Sequence, residues 1–186
     1  SAQFTLDARV EDPPDVESLL WEDRSLVKTW AMRGTLHLLR TDELPLYVGA
    51  QSGLKPRYEQ NSWLKHFGLT AADAQTILTE VPNALQHGPL TRDELGAAVT
   101  ARPRFRHLAL AFADGAGTLL KPLAWQGEMS FGPPRDGRAT FQRLDTNPRW
   151  AGIADLDDAG TRAVEHYFRV YGPATPDRLH YWLGEG

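Results

Sequence analysis

The sequence predicts a mainly α-helical protein with small β-hairpins, an α+β chain, and three observations carry that fold class. The phrase Gly-Pro-x-Thr-x-Asp-x-Leu occurs twice, at Gly88–Leu95 and at Gly172–Leu179, 84 residues apart. In it Gly ends a helix by taking a positive φ, and Pro forbids continuation. Thr offers a capping hydroxyl to the next helix, and Asp sits in that helix's first turn, where the dipole favours negative charge. The phrase writes helix, tight turn, helix, and its recurrence at domain-sized spacing points to a tandem array. Thr91-x-x-Glu94 is a capping box. Finally, Glu128–Phe131 and Arg138–Leu144 flank Gly132-Pro133-Pro134-Arg135-Asp136-Gly137, a hairpin that follows a run of helices. Helices followed by a two-stranded hairpin give the order of a winged helix, so the expected architecture is a set of tandem winged-helix (helix-turn-helix) domains.

From the N-terminus, Phe4–Val10 suits a helix or a strand and begins without a cap. Asp12-Pro13-Pro14 is a break, after which Asp15 caps a short helix through Trp21. Leu26–Met32 and Thr35–Leu39 alternate and are rich in β-formers, which gives two strands around Arg33-Gly34. Thr41, with Asp42 and Glu43, marks a helix start that continues from Leu44 to Ala50. Tyr58, Trp63, Leu64 and Phe67 form a loose helical face ended by Gly68. Thr70-x-x-Asp73 opens a helix with Ala74, Ile77, Leu78, Val81 and Leu85 on one side, and Pro82 predicts a kink or an early end. Residues 92–100 form a helix behind the Thr91 box and Arg104–Ala113 another. Gly115–Gln126 carries the candidate recognition helix. Asp145–Asp157 is a linker, Asp158–Tyr171 a helix, and Pro176 occupies the favoured first position of the last helix. The chain divides into a partial first winged helix with a helical connector (1–69), a complete second one (70–147), and a linker with the first two helices of a third (148–186). Both ends read as those of a fragment of a longer protein.

With 186 residues, 41% hydrophobic and 24% charged, the chain has enough apolar material for a packed core. The absence of Cys excludes disulfides and thiolate metal sites. No apolar run approaches the roughly 18 residues of a membrane span, and no signal peptide is evident, so a cytoplasmic protein without membrane partners is expected. The six histidines show no ligand spacing, and Walker A, dinucleotide and nucleophile-elbow patterns are missing. Neither metal nor cofactor is therefore expected. A net charge of −4 is unlike that of most nucleic-acid binders. The charge is unevenly spread, however. Residues 101–150 hold eight Lys/Arg against four Asp/Glu, whereas Glu11–Asp23 holds acids only. A local positive patch binds phosphate even on an acidic chain.

Four groups of residues are candidate DNA contacts. Arg33, Thr35 and His37 lie in and after the turn between the predicted strands, where alternation puts Thr35, His37 and Leu39 on one face, opposite Leu36 and Leu38. They read either as a hydrogen-bonded stretch beneath a neighbouring domain or as the wall of a cleft touching phosphate or an extruded base. Arg104 and Arg106 lie in the densest basic run, either a solvated turn or a phosphate contact. Arg135 and Arg138 sit at the hairpin tip, the wing. Lys121 and Gln126 lie on the candidate recognition helix with Trp125, which reads as a core residue rather than a base-stacking one.

The run Leu26-Val27-Lys28-Thr29-Trp30-Ala31-Met32-Arg33-Gly34-Thr35-Leu36-His37-Leu38 resembles the winged-helix DNA-binding family that includes the AlkZ-like and YcaQ-like DNA glycosylases. The likeness continues through Leu123–Pro133 and Tyr171–Thr175 and covers nearly the whole chain. It implies an array of winged helices bent around double-stranded DNA, alkylated or crosslinked, and metal-independent removal of damaged bases. In that family a Gln-x-Gln or Gln-x-Asp pair near the N-terminus positions the hydrolytic water. Residues 1–10 are similar to the segment just after that pair, and Gln3 has no partner two residues away, so no catalytic residue is carried over. By position Arg33, Thr35 and His37 match the family's run, and they are carried over only as candidate DNA contacts. If the intact protein is active, the implied chemistry is hydrolysis of an N-glycosidic bond with the damaged base exposed from the stack. Two other readings remain: a non-catalytic DNA-binding or regulatory module, and a protein–protein scaffold of winged helices, which the net negative charge favours.

Overall fold

Local hydrogen bonding explains most of the chain's segmentation. The computed structural model describes residues 2–54, 56–115 and 117–184. The first segment is helical, α1 (Ala2–Asp7), and Gln3 ties it down: its Nε2 donates to Asp7 Oδ1 (2.7 Å) and to Pro14 O (3.2 Å), while its Oε1 accepts from Val16 N (2.9 Å). Asp15 caps α2 (Val16–Trp21) by accepting from the amides of Glu17 and Ser18. The antiparallel strands β1 (Leu26–Trp30) and β2 (Leu36–Arg40) pair from Leu26↔Arg40 to Trp30↔Leu36.

Helix α3 (Leu44–Ser52) does not take its cap from Thr41, contrary to the sequence expectation. The Thr41 hydroxyl is fully buried and donates to Arg24 O (2.8 Å), a carbonyl that also accepts from Asn147 Nδ2 (3.2 Å). Long-range satisfaction of a buried group outcompetes local capping here. Gly68, at φ 63°, ends α4 (Asn61–Phe67). α5 (Ala71–Ala84) opens with the Thr70–Asp73 capping box and runs through Pro82. The predicted early end is not found: Pro82 forfeits only the bond an N–H there would give to Leu78 O, and the helix continues for just two more residues.

Strand β3 (Leu90–Thr91) precedes α6 (Arg92–Thr100), whose Thr91–Glu94 box forms as predicted. A 3₁₀ stretch, Pro103–Leu108, leads into α7 (Ala109–Ala113). The long helix expected over Gly115–Gln126 reduces to a single turn, α8 (Lys121–Trp125). Gly117 takes φ 66° and lies against the Trp30 ring, which keeps the segment before α8 out of a regular helix. β4 (Met129–Arg135) and β5 (Arg138–Arg143) form the predicted hairpin with a tighter tip, since Asp136 and Gly137 both have positive φ, the requirement of a two-residue turn. The strand order is β3-β5-β4.

α9 (Leu156–Tyr171) is capped by Asp155 and starts two residues earlier than expected. In α10 (Pro176–Leu183) the Thr175 hydroxyl accepts from Arg178 N, as the repeat predicts. The two repeat glycines differ. Gly88 has φ 131°, but Gly172 has φ −70°, so positive φ does not explain it. There the requirement is space, because a Cβ would run into the carbonyl of Phe168.

Packing ties the segments together. The largest core joins α5–α8 and the β4–β5 sheet, and Trp30 from the first hairpin enters it, 4.8 Å from Phe131 and 5.7 Å from Phe141 by ring centroids. A second core sets Leu46, Tyr47 and Ala50 of α3 against Ala159 and Ala163 of α9. A third joins Val27, Leu44 and Val48 to Leu144. Among the described residues, no helix is long and apolar enough to cross a membrane.

Candidate nucleic-acid interface

The turn between β1 and β2 is held from inside and from outside. Within it, Gly34 N donates to Ala31 O (2.8 Å), and the Thr35 hydroxyl donates to Met32 O (3.1 Å). Arg33 takes φ 58° and Gly34 φ 67°. From outside, Trp125 Nε1 donates to Ala31 O (3.2 Å), across 94 residues of sequence. A Cβ on Gly34 would lie 2.9 Å from Trp125 Cζ2 and 3.4 Å from Lys121 Cδ, so only glycine lets α8 approach this closely. Trp125 is thus a packing residue, and it brings Lys121 beside the Arg33 turn.

Arg33 also reaches α10, where its guanidinium lies over the Tyr181 ring, 5.1 Å from the centroid, a cation–π contact. Its Nε is buried without a hydrogen-bond partner among the described residues. Hairpin, α8 and α10 therefore meet at the Ala31–Gly34 turn. Beside it opens a cavity of about 720 Å³ whose lining includes Arg33, Gln51, Tyr58, Gln75, Trp125, Gln126 and Glu128. Gln126 Nε2 donates to Tyr58 OH (2.7 Å), so its amide is held in the cavity wall.

The other predicted contacts lie differently. Thr35 and His37 flank the turn, and His37 Nδ1 is 2.9 Å from Thr35 O, a local hydrogen bond. Neither lines the cavity. Arg104 pairs with Asp73, Arg135 with Glu94, and Arg138 with Asp93 at 3.7 Å. The basic excess over residues 101–150 is thus largely answered by carboxylates on α5 and α6, which a count within that window misses. Arg104, followed by the Thr70 hydroxyl and amide, holds the Asp73 carboxyl down at about 2. The Thr91 amide and hydroxyl, and then Arg135, lower the pKa of Glu94. Arg33, Arg106 and Lys121 have no ion pair among the described residues.

Tyr58, Gln75, Glu128 and Tyr181 were not legible as site residues, because each lies in a separate element and carries no local pattern. One signal was available: Gln126-Gly127-Glu128 places an amide and a carboxylate two residues apart next to the predicted hairpin. Among the described residues, no group of three or more His, Cys, Asp or Glu is arranged to hold a metal ion.

The chain is 39% identical over 178 residues to an interstrand DNA cross-link repair glycosylase of Streptomyces sahachiroi, covering 91% of this chain and 47% of that protein. Its fold is similar to that of the solved Streptomyces sahachiroi DNA glycosylase AlkZ, with a TM-score of 0.78 and 37% identity over 92% of this chain and 47% of the other. The chain thus spans about half the length of these relatives. The family described as DNA glycosylase AlkZ-like matches residues 1–185, and the chain belongs to it.

Proposed function

We propose that this chain is the DNA-holding portion of a glycosylase that acts on alkylated or crosslinked double-stranded DNA. The observation that carries the reading is the convergence of Arg33, Lys121 and Gln126, three of the predicted contacts, at the junction of the first hairpin, α8 and α10. Two cations without carboxylate partners among the described residues lie there beside a polar cavity, an arrangement suited to phosphate at the rim and a base within. Thr35 and His37 extend the same edge. Arg104, Arg106, Arg135 and Arg138 are secondary contacts, three of them competing with their carboxylate partners.

The element order supports a winged-helix reading of residues 70–147: α5, β3, α6, α7, α8, then the β4–β5 hairpin, with β3 pairing to β5. α9 and α10, joined by the second copy of the repeat, read as the start of another such unit. The reaction is hydrolysis of an N-glycosidic bond. Gln3 is not assigned the water-positioning role, because both ends of its amide are engaged in anchoring α1.

Fluorescence anisotropy with a labelled duplex, with and without an interstrand cross-link, tests the reading. The 186-residue chain should bind both at low salt, and Arg33→Ala with Lys121→Ala should weaken both. A folded chain that binds neither duplex belongs to the scaffold class instead.

A further inference from the structure

α10 reaches back to the first hairpin through one side chain. In this helix Trp182 and Leu183 pack on the core between α3 and α9. The Trp182 ring lies 5.1 Å from that of Tyr167 and 6.2 Å from that of Tyr47. These contacts seat the helix and so set where the adjacent Tyr181 stands. Tyr181 does not join that core: it is a half-exposed aromatic, and the Arg33 guanidinium lies over its ring. Burial explains Trp182 and Leu183. For Tyr181 the contact that stands out is the cation.

The Arg33 side chain is ordered from both ends. Its backbone sits at φ 58°, in a turn that Trp125 ties down through Ala31 O. Its Nε is buried without a hydrogen-bond partner among the described residues, so the stem is directed into the protein before it reaches the ring. A free arginine is rich in rotamers, and ordering such a side chain at the moment of binding weakens association. A guanidinium stacked by its flat face keeps its N–H edge in the ring plane, where a phosphate takes two hydrogen bonds from it.

We propose that Tyr181 is a positioning residue that holds the Arg33 guanidinium ready for a phosphate of the DNA backbone. The proposal rests on the assignment of Arg33 as a DNA contact and adds to it a residue that acts through Arg33. It also gives the helix after the second repeat a task, that of carrying the ring which orders an arginine of the first hairpin.

The test is a double-mutant cycle on the 186-residue chain, read as anisotropy of a labelled duplex at low salt. Tyr181→Leu deletes the ring and Tyr181→Phe keeps it. Tyr181→Leu should weaken binding by about three- to tenfold, the range for one rotamer-rich side chain left to be ordered on binding. Tyr181→Phe should change it by less than about twofold, since the ring face remains. In the Arg33→Ala background Tyr181→Leu should have no further effect. Tyr181→Gln is a second ring deletion, and thermal melts show that each variant is folded. No loss on ring deletion, or an equal loss with and without Arg33, overturns the proposal, because the ring then acts on the fold or on the DNA directly. Tighter binding by the ring-deleted chains also overturns it, because the ring then masks the cation. Should Arg33→Ala bind as tightly as the parent, the assignment of Arg33 as a DNA contact falls first, and the positioning role with it.

Discussion

Replacing Asp73 by Ala separates the structural from the functional role of Arg104. The Asp73 carboxylate is nearly buried, accepts from Thr70 N (2.9 Å) and Thr70 Oγ1 (2.6 Å), and pairs with Arg104. Its pKa is held at about 2 against an ordinary 3.8. That difference corresponds to roughly 2.4 kcal/mol of preference for the ionised, folded state. Arg104 is largely exposed, so solvent screening reduces the net worth of the pair, and about 1–2 kcal/mol is expected at pH 7. A folded pKa below the unfolded one means the contribution is complete above about pH 4 and is lost as pH falls through about 2. Urea unfolding of Asp73→Ala and the parent chain should therefore show a gap of about 1–2 kcal/mol at pH 7 that narrows by more than half near pH 2. An unchanged gap at low pH, or none at neutral pH, would refute the view that Arg104 and Thr70 hold this carboxylate.

Three further outcomes follow from the geometry. Gly34→Ala forces a Cβ to 2.9 Å from Trp125 Cζ2 at a positive φ; it should destabilise the fold by about 1–3 kcal/mol in thermal melts and lower duplex affinity. Glu94→Gln preserves the capping box, because Gln serves there as well as Glu, but removes the charge that pairs with Arg135. Its duplex affinity at low salt should rise by about two- to fivefold, and an unaltered Kd would show that Arg135 is not a DNA contact. In a base-release assay on methylated duplex, residues 1–186 should liberate no N7- or N3-alkylated purine. Release that disappears in His37→Ala would move the active site to His37.

Much of the local structure was legible because short-range chemistry decides it. Thr70, Thr91 and Thr175 cap the helices that their spacing announces, and Arg33-Gly34 turns the first hairpin. Two of the misreadings come from long-range packing. Thr41 abandons its helix for the carbonyl of Arg24. The segment before α8 bends where Gly117 meets Trp30. Gly172 makes room for Phe168 O and does not take a positive φ. The site shows the same limit. Arg33, Lys121 and Gln126 were visible singly, but their meeting depends on Trp125 crossing to Ala31 O. Arg104 and Arg135 looked free only because Asp73 and Glu94 lie outside their sequence window.

The salt dependence of duplex binding tests the assignment of the interface most directly. If Arg33, Lys121 and one or two further cations each neutralise a phosphate, log K against log salt should have a slope near −3. Arg33→Ala with Lys121→Ala should reduce that slope by about 2, close to 0.9 for each lost phosphate contact. Arg135→Ala with Arg138→Ala, which removes cations already paired with Glu94 and Asp93, should reduce it by less. The reverse ranking, with the wing variant flattening the slope and the Arg33–Lys121 variant leaving it unchanged, would contradict placement of the DNA at the junction of hairpin, α8 and α10.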